Sequence, residues 1–147
     1  MEKSIFGVNA NVKVELFNSE GELKDVREIH NTVTTAGKNG LIDQAVASPS
    51  LGKPTHMELG TGTGGTTKLA TYISGSRVAF TSKTRANNVL TIVANFGAGV
   101  GTGAVTEAGT FDSVTQDAGN MWMYSSFTAI NKGSNDTLQI TWTLTAN

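Results

Sequence analysis

The chain has 147 residues with a formal charge of −1, 17 glycines, two prolines and no cysteine. That length suits one domain able to bury a core of its own. Thiol catalysis, thiolate metal sites and disulfides are excluded, and the near-zero charge gives no overall pull toward nucleic acid or anionic lipid. The opening MEKSIFGVNANVKVELF lacks the apolar stretch of a signal peptide, and no apolar run approaches the roughly 18 to 20 residues of a membrane span. A protein made in the cytoplasm, with neither membrane nor nucleic acid as partner, is expected.

Taken in chain order, Val12 to Phe17 and Glu22 to Ile29 flank Asn18-Ser19-Glu20-Gly21 and predict a hairpin. Between Thr34 and Ser48, Leu41 with Ala45 and Ile42 with Val46 recur one helical turn apart. One helix is expected there, capped by Thr34 or Thr35, with Gly37 and Gly40 weakening its start. A second hairpin is expected from Arg77–Arg85, a turn at Ala86-Asn87-Asn88, and Val89–Phe96, the last strand apolar on both faces as if buried between layers. Ala104 to Asp112 reads as a shorter strand with a bulge at its glycine. Met121 to Ile130 reads as another strand. In Thr137–Thr145, Leu138, Ile140, Trp142 and Leu144 alternate with polar residues, the period of a strand with one face in the core. The turn-rich link Asn131–Asp136 predicts that these last two strands form a hairpin. The fold expected is mainly β: a single antiparallel β-sandwich over residues 1–147, jelly-roll-like, with one short helix.

In HMELGTGTGG, Gly60, Gly62 and Gly65 match the spacing G-x-G-x-x-G of a dinucleotide loop. The segment after it, Thr66–Gly75, is too short and β-branched for the crossover helix, and no Asp or Glu lies between Glu58 and Glu107 to take a ribose. A phosphate-binding Walker loop fails as well, because Thr66 stands where lysine is required. The cluster reads as a mobile loop turning a corner. The acid-free window carries Lys68, Arg77, Lys83 and Arg85, either a surface for an acidic protein partner or charges on a solvated or edge strand.

His30 and His56 lie far apart with no cysteine, a weak metal signal. Glu107 and Asp112, five residues apart, are the nearest thing to a carboxylate pair, and an acid beside a glycine turn reads as structural. Nothing resembles a nucleophile elbow. Trp122 and Tyr124, sharing a face with Ile130, offer a sugar-stacking alternative, whereas Trp142 falls in phase with the core. No catalytic, cofactor or metal assignment results, and no enzyme is expected.

The order of segments carries a further likeness. Thr35-Ala-Gly-Lys-Asn-Gly-Leu41, Met57-Glu-Leu-Gly-Thr-Gly-Thr63, Ser76-Arg-Val-Ala-Phe80, Val105-Thr-Glu-Ala-Gly-Thr-Phe111, Met121-Trp-Met-Tyr-Ser-Ser-Phe127 and Asp136-Thr-Leu-Gln-Ile-Thr-Trp142 occur one after another. Over roughly residues 30 to 145 the chain resembles small structural proteins of tailed-bacteriophage virions, most of all capsid decoration (cement) proteins, with tail, collar and fibre-base components as relatives. The resemblance implies a virion location, the major capsid protein as partner, and homo-oligomers, trimers foremost. On that reading Lys68, Arg77, Lys83 and Arg85 face the shell, and the glycine loops 60–65, with Gly60, Gly62 and Gly65, and 97–103 order on contact. The acidic hairpin within residues 1–30 falls outside the likeness.

Overall fold

A computed structural model describes residues 7–147. The strands are β1 (Val8–Phe17), β2 (Leu23–Val33), β3 (His56–Gly60), β4 (Val78–Ala79), β5 (Ser82–Ala86), β6 (Val89–Phe96), β7 (Gly103–Phe111), β8 (Met121–Lys132) and β9 (Thr137–Ala146), with one helix among the described residues, α1 (Thr35–Asp43). They form an antiparallel ladder in the order β4-β3-β7-β8-β2-β1-β9-β6-β5, folded into two sheets packed face to face as a β-sandwich.

Alternation builds the core. Ala10, Val12, Val14 and Leu16 of β1 are buried beside Leu138, Ile140, Trp142 and Leu144 of β9, while the residues between them face outward. Register joins the two sets directly, with Val12 opposite Trp142 and Val14 opposite Ile140. Both flanks of the sandwich are crossed by continuous chain. β2 pairs with β1 along most of its length, then its end, Thr32 and Val33, pairs with Tyr124 and Met123 of β8 in the other sheet. On the opposite flank, β4 pairs with β3 and β5 with β6, and the link between them is tied by Phe80 N–H to Thr55 O at 3.0 Å and Thr81 N–H to Val93 O at 2.7 Å.

Four expectations are corrected. β8 and β9 are not a hairpin: β8 pairs with β7 and β2, β9 with β1 and β6, so the link 133–136 crosses between sheets. A turn-rich link serves a crossing as well as a hairpin, and both strands have core faces to bury. The stretch Arg77–Arg85 is not one strand, because it changes sheets at Phe80-Thr81. β6 buries one face only, through Ile92, Ala94 and Phe96, with Asn95 exposed. In β7 the ladder shifts between Val105 and Glu107 and between Thr110 and Phe111, leaving Gly109 regularly paired with Tyr124.

The helix begins as expected. The Thr34 hydroxyl accepts the Gly37 N–H at 3.0 Å, and the same residue ties the helix to β8 through the carbonyls of Met121 and Trp122. It ends at Asp43, earlier than the i, i+4 pattern suggested, and Ile42 and Val46 are exposed instead of packed. Gly37 and Gly40 form its buried face, because a methyl at Gly40 would overlap the Trp122 ring.

Candidate functional site

The glycine-rich loop does enclose an anion, and the anion belongs to the protein. Glu107 is completely buried in β7. Its Oε2 accepts N–H bonds from Gly62 at 3.0 Å and Thr71 at 2.8 Å; its Oε1 accepts from Ala70 N–H at 3.0 Å and the Tyr124 hydroxyl at 2.8 Å. Thr106 adds a bond from its hydroxyl to Gly62 O at 2.7 Å. A methyl on Gly60 would overlap both the Glu107 carboxylate and the Thr71 carbonyl, and one on Gly65 would lie 2.7 Å from the Tyr124 ring. The expectation of a mobile loop is therefore corrected: Gly60, Gly62 and Gly65 let the backbone close on a carboxylate that fixes it. Burial raises the Tyr124 phenol above its usual range, and its hydroxyl contact with Glu107 acts in the same direction.

Arg77 is corrected as well. Its side chain and that of Glu58 are each 2% exposed, so it cannot face a shell. Its Nε meets Glu58 Oε2 at 3.1 Å, its guanidinium lies 3.7 Å from the centre of the Phe111 ring, and one terminal nitrogen donates to the carbonyls of Ser113, Thr115 and Ala118. A single side chain thus holds the loop between β7 and β8. Gln116 of that loop bonds Gly75 N–H and Ile73 O, stitching it to the 64–76 segment.

The other three cations of the window do not converge with Arg77 into one patch. Lys68 pairs with Asp117 at 3.2 Å at the surface. Lys83 and Arg85 lie on β5, the last strand of the ladder, opposite Ile92 and Leu90 of β6, and so on the strand's core-side face. Lys83 Nζ donates to Pro54 O at 2.7 Å, and burial with Lys53 nearby lowers its pKa. Inward-pointing charge on an edge strand opposes pairing with another chain. Arg85 donates to Asn87 O at 2.8 Å and stays exposed.

At the opposite end of the sandwich, buried Lys132 donates to Gly97 O at 2.8 Å, and Asp136 takes Lys24 Nζ at 2.9 Å and Gly133 N–H at 2.8 Å. The Lys132 bond and that from Gly99 N–H to Ser134 O at 2.8 Å tie the 97–103 loop to the link between β8 and β9. Glu58, Lys132 and Asp136 escaped sequence reading as anchors, and Glu107 was legible as structural but without its partners. The available signal was that Glu58 and Glu107 bracket a cation-only window, which leaves Arg77 without a nearer acid.

The remaining candidates separate. His56 Nδ1 meets Thr55 Oγ1 at 2.7 Å, and burial, with Arg77 near, lowers its pKa; His30 lies on the outer face of β1–β2 beside Asn11. No group of three metal-capable side chains occurs among the described residues. Asp112 bonds Asn120 in the β7–β8 loop, whereas Glu107 is enclosed by the glycine loop. Trp122 belongs to the main core and Tyr124 to a second cluster with Leu69, Phe111 and Met121, so the two rings make no platform for a sugar.

A groove of about 770 Å³ runs between α1 and the β5–β6 hairpin, with Val8, Leu41, Ile42, Val89, Leu90 and Leu144 as its apolar lining and Lys38 and Arg85 at its rim. Comparison with protein-family models, curated proteins and solved structures finds no match to this chain.

Proposed function

We propose that the chain is a structural protein of a tailed-phage virion, a decoration protein that binds the major capsid protein across shell subunits and stabilises the assembled lattice. The segment order that resembles such proteins supports this reading, and so does the β-sandwich. The observation that carries it is the use of the buried charges. Glu58, Arg77, Glu107, Lys132 and Asp136 end on backbone groups, on one another, or on the side chains of Tyr124 and Lys24, tying down the loops at both ends of the sandwich. Loops ordered before contact lose little conformational entropy on docking, which favours a protein that works by burying surface. A ligand that recognises the assembled shell and not its free subunits stabilises that shell by mass action.

On this reading the protein is made in the host cytoplasm and resides on the virion. Quantitative mass spectrometry of purified particles tests it, by counting this chain against the shell protein. A simple ratio of copies is expected. A handful per particle would move the protein to the tail, collar or fibre base, and absence from particles would overturn the proposal.

A further inference from the structure

We propose that copies of this chain associate head to tail, the β1–β2 hairpin tip of one copy seating in the groove between α1 and the β5–β6 hairpin of the next. The inference rests on surface chemistry and does not require the virion reading.

The groove is apolar with a cationic rim. Ile42 in its wall is 70% exposed, a large apolar side chain left to solvent. Among the described residues, Lys38 and Arg85 at the rim enter no ion pair, and none that lines the groove is acidic. Such a site fits an apolar side chain flanked by carboxylates.

The chain carries that knob at its far end. In the β1–β2 turn, the Asn18 side-chain oxygen accepts the N–H groups of Glu20 and Glu22, each at 2.9 Å, and Gly21 takes the turn at φ 81°. This fixed turn displays Leu23, 55% exposed, beside the exposed Glu20 and Glu22. An exposed leucine alone means little; it follows two exposed carboxylates, and Lys24 on its other side is paired with Asp136 at 2.9 Å, so the tip matches the groove in both polarity and charge.

Geometry excludes a contact within one molecule. Val8, in the groove, and Phe17, at the hairpin, are the two ends of the ten-residue β1, and a strand of that length spans about 30 Å. The tip reaches only another copy's groove. Such a heterologous contact closes into a ring or continues as a chain, according to the rotation between copies.

Sedimentation velocity and light scattering of the full chain, over a concentration series at low and high salt, test the proposal. Self-association that weakens with salt is expected. Reversing the tip with Glu20→Lys and Glu22→Lys, or the rim with Lys38→Glu and Arg85→Glu, should each weaken it by about tenfold or more, since like charges then face each other. The chain carrying all four reversals should associate again, because its tip and groove are complementary once more. All four positions are exposed, and circular dichroism confirms that each variant is folded. A monomer at every concentration, association indifferent to the reversals, or a four-site variant that stays apart would each overturn the proposal.

Discussion

Replacing Glu107 by glutamine keeps the shape of the side chain and removes its ability to accept at both ends. The four donors divide evenly: Gly62 and Thr71 on Oε2, Ala70 and the Tyr124 hydroxyl on Oε1. The amide nitrogen does least harm at the Oε1 position, where the tyrosine hydroxyl can rotate to accept, but Ala70 N–H then faces another donor. One stranded buried donor costs about 1–3 kcal/mol, and each bond that passes from a charged to a neutral acceptor loses about 1 kcal/mol more. The sum is about 3–5 kcal/mol, undiminished by solvent because Glu107 is fully buried.

Urea unfolding of E107Q against the parent measures that difference directly. At roughly 3 °C per kcal/mol for a chain of this size, the melting temperature should fall by about 10 °C. Hydrogen exchange adds a local readout, since the amides of Gly62, Ala70 and Thr71 should lose protection more than those of β9. A variant within about 1 kcal/mol of the parent, with exchange at those amides unchanged, would refute the reasoning.

Arg77→Met should destabilise by about 3–5 kcal/mol, because it leaves Glu58 buried without its partner; adding Glu58→Met should recover part of the loss in the same unfolding assay. Gly60→Ala should cost about 1–3 kcal/mol through overlap with Glu107 and Thr71, whereas Gly97→Ala, with no atom within 4 Å of the new methyl, should be near neutral by thermal melting. The bond from Lys24 and that from Gly133 N–H hold the Asp136 carboxyl below its usual range. Its contribution is therefore complete above its unfolded pKa of about 3.9 and lost as pH falls through the lower folded value, so Asp136→Asn should flatten the acid limb of a stability profile. Burial raises the Tyr124 phenol, so its contribution is complete below about pH 10 and lost as pH climbs through the folded value; Tyr124→Phe should flatten the alkaline limb.

Local pattern reached the elements better than their partners. β9 was legible because its apolar residues hold a period of two to the end, and the β1–β2 and β5–β6 hairpins because Asn and Gly mark short turns. Which strand lies beside which was not, since Asn131–Asp136 carries the same turn formers whether the chain returns along its own sheet or crosses to the other. The site shows a similar limit. Arg77 looks like any strand cation until Glu58, 19 positions earlier, and Phe111 are brought against it, and neither lies within helical or strand reach in sequence. Gly37 and Gly40 misled in the opposite direction. Propensity counts them as weak points of a helix, yet they allow Trp122 to pack against it.

The run Gly60–Gly65 separates two uses of glycine that composition alone merges. Gly64 has φ 83° and nothing within 4 Å of an added methyl, so its glycine serves backbone conformation. Gly60, Gly62 and Gly65 show no such φ; each instead has a neighbour inside normal contact distance of a methyl, whether the Glu107 carboxylate, Ala70 or Tyr124. Three of these glycines therefore report close approach, and the loop they form is held, not loose. A phosphate loop and this loop share that requirement, because both bring backbone N–H groups to an anion with no side chain in the way. Here the acid of β7 occupies the position from within, which explains how the spacing of a nucleotide motif arises in a loop whose anion is already supplied by the fold.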